Sequence, residues 1–150
     1  MKRFTLALSA SMALFVTLPA SAQFRKPEDA IKYRKSAMAL MNAHMGRMAQ
    51  VVQGRVAFDA KATADNAQIV ATLSALPFGA FTEGSDKGDT RAKPEIWTEA
   101  TRFKGQATKM QEAVAALNAA AKSGNFDQIK TTFGEVDKAC KACHDDYRKD

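Results

Sequence analysis

Three scarcities limit what this chain can be: its 150 residues include only two cysteines, two histidines and one long apolar run. A zinc site needs four ligands. Such a site is disfavoured here because no third cysteine exists and His44 is the only histidine outside the cysteine motif. No stretch shows sustained strand alternation, so an all-α fold is expected. The net charge is +6, but the basic residues are scattered among acids, which disfavours a nucleic-acid binder.

The single long apolar run, residues 4–18, has the features of an export signal. It follows Lys2 and Arg3 and precedes the small-residue triplet 20–22. Its apolar core is too short for a transmembrane span. We therefore expect a secretory signal peptide over residues 1–22, cleaved after Ala22, and one soluble domain over residues 23–150 with no membrane insertion. Such a leader most simply indicates a bacterial periplasm.

The two cysteines stand in the run Cys140-Lys141-Ala142-Cys143-His144. This spacing is typical of covalent haem attachment. On a helix the two sulfurs lie on one face about a turn apart, which suits two thioether bonds to one porphyrin edge. The adjacent His144 then points over the ring as an axial iron ligand. A redox dithiol, half a zinc site and a disulfide are the alternatives. A thioredoxin-type dithiol would need a βαβ context that is missing here, so one covalent haem c per chain is the prediction.

Apolar residues recur at helical spacing along the rest of the chain. They predict four amphipathic helices, at about residues 27–54, 61–76, 94–123 and from 125 onward. Short turns and one longer aperiodic segment, residues 78–93, connect them. This pattern predicts an up-down-up-down antiparallel four-helix bundle.

The apolar stripes predict which side chains face the core. In the second helix they select Ile69, Leu73 and Leu76, before Pro77 ends the helix. In the first helix the stripe is Ile31, Arg34, Met38, Met41, Met45, Met48 and Val52, and in the third it is Ile96, Phe103, Ala107, Met110, Val114, Leu117 and Ala121. Gly124 ends the third helix, and Asn125 with Gln128 caps the fourth. In the fourth helix the stripe runs through Ile129, Phe133, Val136, Cys140, Cys143 and Tyr147. Both haem-attachment cysteines are therefore expected to face the core.

The residues on the far side of the iron can be predicted by comparing positions along the first and fourth helices, which are antiparallel in such a bundle. At about 1.5 Å per residue, His144 near the end of the fourth helix matches the neighbourhood of Arg34 and Met38 in the first. Met38 either ligates the iron or packs over an open position. Arg34 either extends its head into water or lies near a haem propionate. His44 is expected to point away, as a surface or subunit-interface residue.

Several segments together resemble cytochrome c′, the high-spin class II cytochromes c. They are Lys32-Tyr33-Arg34, Leu73-Ser74-Ala75-Leu76-Pro77, Lys93-Pro94-Glu95-Ile96-Trp97, and Cys140-Lys141-Ala142-Cys143-His144 followed by Tyr147-Arg148. The resemblance covers essentially all of residues 23–150. An attachment motif at the end of a four-helix pattern, with an arginine four residues after the histidine, is much more specific for this family than the motif alone.

The resemblance implies a set of haem contacts. Cys140 and Cys143 would form the thioethers, His144 would be the proximal ligand, and Arg148 would lie beside its imidazole. The propionate contacts would be Arg34, its neighbour Lys35, and Asp89 or Thr90 in the loop before the third helix. Met38 would occupy the distal position, and Phe78 or Phe81 would pack near the haem. Family members are usually homodimers packed through the first two helices.

The expected function is gas binding by a five-coordinate haem iron with an apolar distal side. Such a site suits neutral NO or CO, with NO scavenging or tolerance as the role and electron transfer as a further capability. The alternative is a six-coordinate electron carrier with His144 and Met38 as axial ligands. No pair of carboxylates, hydrolytic nucleophile or distal acid–base residue can be assembled, so no enzyme is expected. A periplasmic redox partner is expected but not identified.

Overall fold

A computed structural model describes residues 23–149, and these residues fold as an all-α bundle. The helices are α1 (Pro27–Val52), α2 (Ala60–Leu73), α3 (Glu95–Thr98), α4 (Ala100–Ser123) and α5 (Phe126–Tyr147). A short 3₁₀ helix, Leu76–Ala80, follows α2. The predicted signal peptide lies outside the described residues.

The four long helices pack in chain order. α1 packs on α2, α2 on α4, and α4 on α5, whereas α1 and α5 barely touch. This arrangement confirms the predicted up-down-up-down four-helix bundle. Within the described residues, every helix is too short or too polar to cross a bilayer.

Local signals in the sequence set the helix ends. Pro27 occupies the first turn of α1, where its missing N–H is not needed. The carboxylate of Asp59 accepts a hydrogen bond from the Ala62 amide at the start of α2 (2.9 Å). Asn125 caps α5 in the same way, accepting from the Gln128 amide (3.1 Å). α4 ends at Ser123 and is followed by Gly124, whose φ of +70° favours glycine.

The apolar core runs along the inner faces of α1, α2, α4 and α5. The predicted stripe of α3 and α4 is buried throughout, at Ile96, Phe103, Ala107, Met110, Val114, Leu117 and Ala121. The largest fully buried side chains of the bundle are Met48, Leu117, Ile129, Val70, Val114 and Val136. The periodicity therefore identified the buried faces of these elements correctly.

The predicted inward face of α2 is wrong. Ile69 is 39% exposed and Leu76 is 40% exposed, whereas Val70 is buried. The inward row is instead formed mainly by small residues, which a search for large apolar side chains passes over. α2 also ends earlier than predicted, at Leu73. Pro77 lacks an N–H, and its ring would clash with the Leu73 carbonyl in a continued α-helix.

The predicted third helix is interrupted near its start. At Glu99 the backbone turns to φ −112° and ψ 38°, which separates the single turn α3 from α4. The indole N–H of Trp97, in α3, donates to the Thr82 carbonyl (3.1 Å). The break therefore lets α3 pack against the preceding loop while α4 follows the bundle axis.

The loop before α3 is tied to the end of α5. Ala92 pairs with Arg148 as an isolated antiparallel bridge. The Lys93 amide donates to the Tyr147 carbonyl (2.9 Å), and the Lys149 amide donates to the Arg91 carbonyl (2.8 Å). This short pairing fixes the loop next to the helix that carries the cysteine motif.

Two glycines of the α4 region should respond oppositely to alanine. Gly105 lies inside α4, and an added Cβ would meet nothing within 4 Å. Gly105→Ala should raise the free energy of unfolding by about 0.5–1 kcal/mol, because alanine restricts the unfolded chain. Gly124→Ala should lower it by about 1–2 kcal/mol, because a φ of +70° strains any residue with a Cβ. Urea unfolding followed by circular dichroism tests both; a shift of the same sign in the two variants would contradict the structure.

Candidate functional site

A cavity of about 530 Å³ opens between α1 and α5. Its walls come mainly from α1, α4, α5 and the segment from Phe78 to Ala92, and most of the side chains that line it are apolar. Because α1 and α5 barely touch, the inner faces of the bundle do not close on each other here. The volume falls within the usual range of small-molecule and cofactor sites.

The cysteine motif lies on one wall of this cavity. Cys140 and Cys143 are half-buried on the same face of α5, as predicted, and both line the cavity. His144 follows them and lies exposed at the cavity mouth. Two thiols and an imidazole are therefore presented together to one space.

Burial holds both thiols in their neutral form. It raises the pKa of Cys143 to about 11, with Cys140 and Asp146 adding to the rise. It also raises the pKa of Cys140, with a further contribution from Asp137. At neutral pH neither sulfur is an appreciable thiolate, so neither is a reactive nucleophile of the thioredoxin kind.

The imidazole is also kept neutral. Partial burial lowers the pKa of His144, and the Arg148 cation lowers it further. Nη1 of Arg148 lies 3.4 Å from Nδ1 of His144. Arginine can only donate, so this contact favours the tautomer with its proton on Nε2. Ligation of iron through Nε2 requires the opposite tautomer, and Arg148 must then give up this hydrogen bond.

Methionines form much of the α1 wall. Met38 lines the cavity at the depth predicted from the antiparallel helices. Met41 and Met45 of α1 and Met110 of α4 line it too. The cavity positions of these three methionines were not predicted, although all three, like Met38, had been placed on inward stripes. Thioether side chains adapt their shape to a flat apolar ligand.

His44 does not line the cavity. Its Nδ1 lies 2.8 Å from Oδ1 of Asn66 in α2, and the ring is partly buried between the two helices. This confirms that His44 points away from the site of Met38. The cavity does have polar lining groups that the sequence analysis missed, namely Asn42 of α1, Gln106 of α4 and Asp137 of α5.

One end of the cavity is charged. Arg34, Lys35, Asp89 and Thr90, the four residues proposed for the propionate side, all line it, and so does Arg91, which was not predicted. Nζ of Lys35 lies 2.6 Å from Oδ2 of Asp89. The Asp89 carboxylate would repel a propionate and here binds Lys35 instead. Its side chain therefore suits a propionate contact less well than the neighbouring cations.

Arg34 does not extend into water. Its residue exposure is 3%, so the prediction that its head reaches solvent is wrong. Four hydrogen bonds hold the guanidinium against the loop that precedes α3.

Aromatic rings form the remaining wall. Phe78 and Phe81 line the cavity as predicted, together with Phe103 and Tyr147. The rings of Phe81 and Phe103 are 4.9 Å apart, and those of Phe103 and Tyr147 are 5.2 Å apart. Phe103 and Tyr147 were predicted as core residues only. Their place on the inward stripes of α4 and α5 was the signal that could have assigned them to the site.

These features fit a covalently bound haem. Two thiols one helical turn apart suit two thioethers, and the adjacent neutral imidazole suits an axial ligand. Apolar and aromatic walls suit the faces of the porphyrin, and the cations at one end suit its propionates. By contrast, no cluster of three His, Cys, Asp or Glu suited to a metal ion occurs in the described part of the chain.

Known proteins with similar sequences support this assignment. A family model described as Cytochrome C' matches residues 29–148. The cytochrome c' of Rubrivivax gelatinosus is 51% identical over 128 residues, which cover 85% of this chain and 99% of that protein. The cytochrome c' of Alcaligenes xylosoxydans xylosoxydans is 49% identical over 127 residues, covering 85% and 98%.

Solved structures agree. The crystal structure of the Rubrivivax gelatinosus protein superposes with a TM-score of 0.83 at 51% identity, covering 85% of this chain and all of that one. A nitric oxide complex of a leucine-to-alanine variant of Alcaligenes xylosoxidans cytochrome c prime superposes with a TM-score of 0.81 at 47% identity, covering 85% and 99%.

The raised thiol pKa has a direct chemical consequence before haem is attached. In the folded, haem-free chain at about pH 8, iodoacetamide should alkylate Cys143 roughly 100-fold more slowly than an ordinary thiol, because only about 0.1% is thiolate. The rate should keep rising until the pH approaches the pKa of about 11. Mass spectrometry of the labelled peptide measures this, with the chain in denaturant as the control. If the alkylation rate of the folded chain reaches half its maximum at nearly the same pH as that of the denatured chain, the thiol is not buried.

Proposed function

Since the chain belongs to the cytochrome c′ family and binds haem c, we propose that it binds a neutral diatomic gas, NO or CO, at a five-coordinate haem iron. The proposed role is scavenging or tolerance of NO in the periplasm, by binding rather than catalysis. Electron transfer with a periplasmic partner is a further proposed capability. One observation carries the proposal: the cavity presents His144 from α5 and a wall of methionine side chains from α1. The nitric oxide complex of the Alcaligenes xylosoxidans variant supports it.

Each site residue has a role in this proposal. The thioethers of Cys140 and Cys143 would fix the haem edge to α5, and neutral His144 would be the axial base. The bound haem supplies an iron with one position left for a gas. Phe78 and Phe81 would pack against the porphyrin, and Arg148 would lie beside the imidazole. At the charged end, the propionates would meet the cations Arg34 and Lys35, with Asp89 and Thr90 beside them.

The methionine part of the α1 wall favours neutral ligands over charged ones. Met38, Met41 and Met45 have no hydrogen to donate, so negative charge that develops on a ligand next to them is not stabilised. Met38 is partly buried and unbranched, so it can move aside without a large repacking of the bundle. A small apolar gas can therefore enter by displacing one side chain.

The rival function is electron transfer by a six-coordinate iron with His144 and Met38 as axial ligands. Thioether sulfur is a known haem ligand in electron-transfer cytochromes. Met38, however, is one of three α1 methionines that line the same cavity, which suits a packing role as well as a ligating one. The nitric oxide complex of a relative with the same fold supports gas binding over this rival.

Replacing Met38 separates the two functions. The unmodified protein should have a high-spin optical spectrum, and Met38→Ala should remain high-spin. CO association should become roughly tenfold faster if the opened wall lowers the barrier by about 1.4 kcal/mol. Stopped-flow absorption measures the rate, and Met38→Leu, which keeps the bulk without the sulfur, is the control. A low-spin unmodified protein that becomes high-spin on substitution would establish the electron carrier instead.

We also propose that two copies of the chain pair through α1 and α2. The His44–Asn66 hydrogen bond joins the antiparallel helices α1 and α2, and Leu40 of α1 and Ile69 of α2 each lie about one helical turn from it. Leu40 is 51% exposed and Ile69 is 39% exposed. Large aliphatic side chains exposed on two neighbouring helices suit a homodimer interface.

A charge in this face should break the dimer. Leu40→Glu should weaken self-association by roughly tenfold or more, because burying an unpaired carboxylate costs more than about 1.4 kcal/mol. Val56→Glu is the matched control, since Val56 is 55% exposed but lies beyond the end of α1. Analytical ultracentrifugation measures the dissociation constant, and the haem spectrum checks that the site is intact. An unchanged constant in Leu40→Glu would place the interface elsewhere.

A further inference from the structure

The cavity opens to solvent along the slot between α1 and α5. Ala39 and Asn42 of α1 and Asp137 of α5 line the cavity and are also exposed. Asn42 lies seven residues beyond Lys35, and Asp137 lies seven before His144, which places both roughly 10 Å along their helices from the charged end. We call Ala39, Asn42 and Asp137 the port.

The port lies next to the side chain proposed to cover the open position of the iron. Ala39 follows Met38 directly, and Asn42 follows it by about one helical turn on the same side of α1. Met38 is partly buried, whereas both port residues of α1 are exposed. A small molecule that enters at the port therefore meets Met38 first.

The other sides of the cavity are less open. On the α4 wall, Phe103 and Met110 are buried in the core. At the charged end, the hydrogen bonds of Arg34 and the ion pair of Lys35 with Asp89 hold the loop against α1. The port is consequently the shortest way from solvent to Met38.

The carboxylate of Asp137 carries a charge that no neighbour balances. Lys141, one turn further along α5, pairs with Asp145 instead, and Lys138 pairs with Glu135 (2.8 Å). Within the part of the chain that the structure describes, the side chain of Asp137 forms no ion pair. The port therefore has a net negative charge.

This charge acts on the wall to which the haem attaches. Burial raises the pKa of Cys140, and Asp137 raises it further. The field of the carboxylate therefore reaches the attachment site one turn away. It repels an anion in the port but has little effect on an uncharged molecule, because Coulomb energy scales with the charge of both partners.

We propose that Ala39, Asn42 and Asp137 form the entry port through which small neutral molecules reach the haem, and that Asp137 is a specificity-determining residue that disfavours anions there. This route rests on the proposed function, since it is the way by which a gas would reach the iron. The methionines select among ligands that are already inside the cavity, whereas the port selects among them before entry.

Triplet-state quenching in the zinc-substituted protein tests the route. Zinc in place of iron gives the porphyrin a long-lived excited state, which dissolved oxygen quenches on encounter. Ala39→Phe should slow this quenching about threefold or more, because a ring in the port raises the barrier to entry. Asn42→Phe should slow it likewise. Ala43→Phe is the matched control, since Ala43 is exposed one turn further along α1 but does not line the cavity.

The control should be quenched at the unmodified rate. An unchanged rate in both Ala39→Phe and Asn42→Phe would overturn the route. Equal slowing in Ala43→Phe would also overturn it, by showing that bulk anywhere on this helix has the same effect.

Charged quenchers test Asp137 in the same zinc-substituted protein. At low ionic strength Asp137→Asn should speed quenching by the ferricyanide anion about threefold or more and slow quenching by the methyl viologen cation, because a negative charge leaves the port. Both changes should disappear at about 1 M salt. Oxygen, which is uncharged, should respond less than either ion.

Glu135→Gln makes the same change of charge two residues away on α5, outside the cavity, and should have a smaller effect. Unchanged ferricyanide quenching in Asp137→Asn would overturn the specificity role. Acceleration of the same size in Glu135→Gln would overturn it too, by showing that only the net charge of the protein matters.

These readouts separate the port from the proposed function, because none of them needs NO, CO or an open position on iron. If the iron protein does not bind CO while oxygen quenching responds as expected, the proposed function fails and the port stands. If CO binds but Ala39→Phe changes neither its association rate nor oxygen quenching, the port fails and the proposed function stands.

Discussion

The structure depends on a gap that the polypeptide leaves between its first and last long helices. Three helix pairs, α1–α2, α2–α4 and α4–α5, bury the core, and the fourth side of the bundle stays apart. The side chains that face this gap are thioethers, aromatic rings and aliphatic groups. Exposing apolar surface of this kind to water is unfavourable, and covering it with an apolar group of matching shape removes that cost. A haem bonded to α5 would supply that group and fill the space between α1 and α5.

The same partial burial sets the chemistry of the site. It raises the pKa of Cys140 and Cys143 and lowers that of His144, so that all three are neutral at the cavity wall. Neutral thiols resist premature oxidation, and a neutral imidazole is the form that binds iron. Desolvation acts on acids and bases in opposite directions, and in both cases it disfavours the charged form.

Predictions from the sequence were correct for features that depend on residues close together in the chain. The inward stripe from Phe103 to Ala121 and the caps at Asn125 and Gly124 followed from spacing and residue type. The depth of Met38 also followed, because rise per residue is uniform along antiparallel helices. The inward face of α2 did not follow. Its buried row is built mainly from small residues, and Ile69 was the more conspicuous apolar side chain.

The sequence by itself determined the four-helix pattern, the haem-attachment motif and the residues that could face the iron, because helical period and motif spacing are local properties. Only the tertiary structure decided that Phe103, Tyr147 and Arg91 join the site, that Asp89 binds Lys35, and that Arg34 is buried against the loop at 80–90. These contacts join residues roughly 45 to 60 positions apart. No local period carries information over that distance, since such pairs meet only when the helices and the loop pack together.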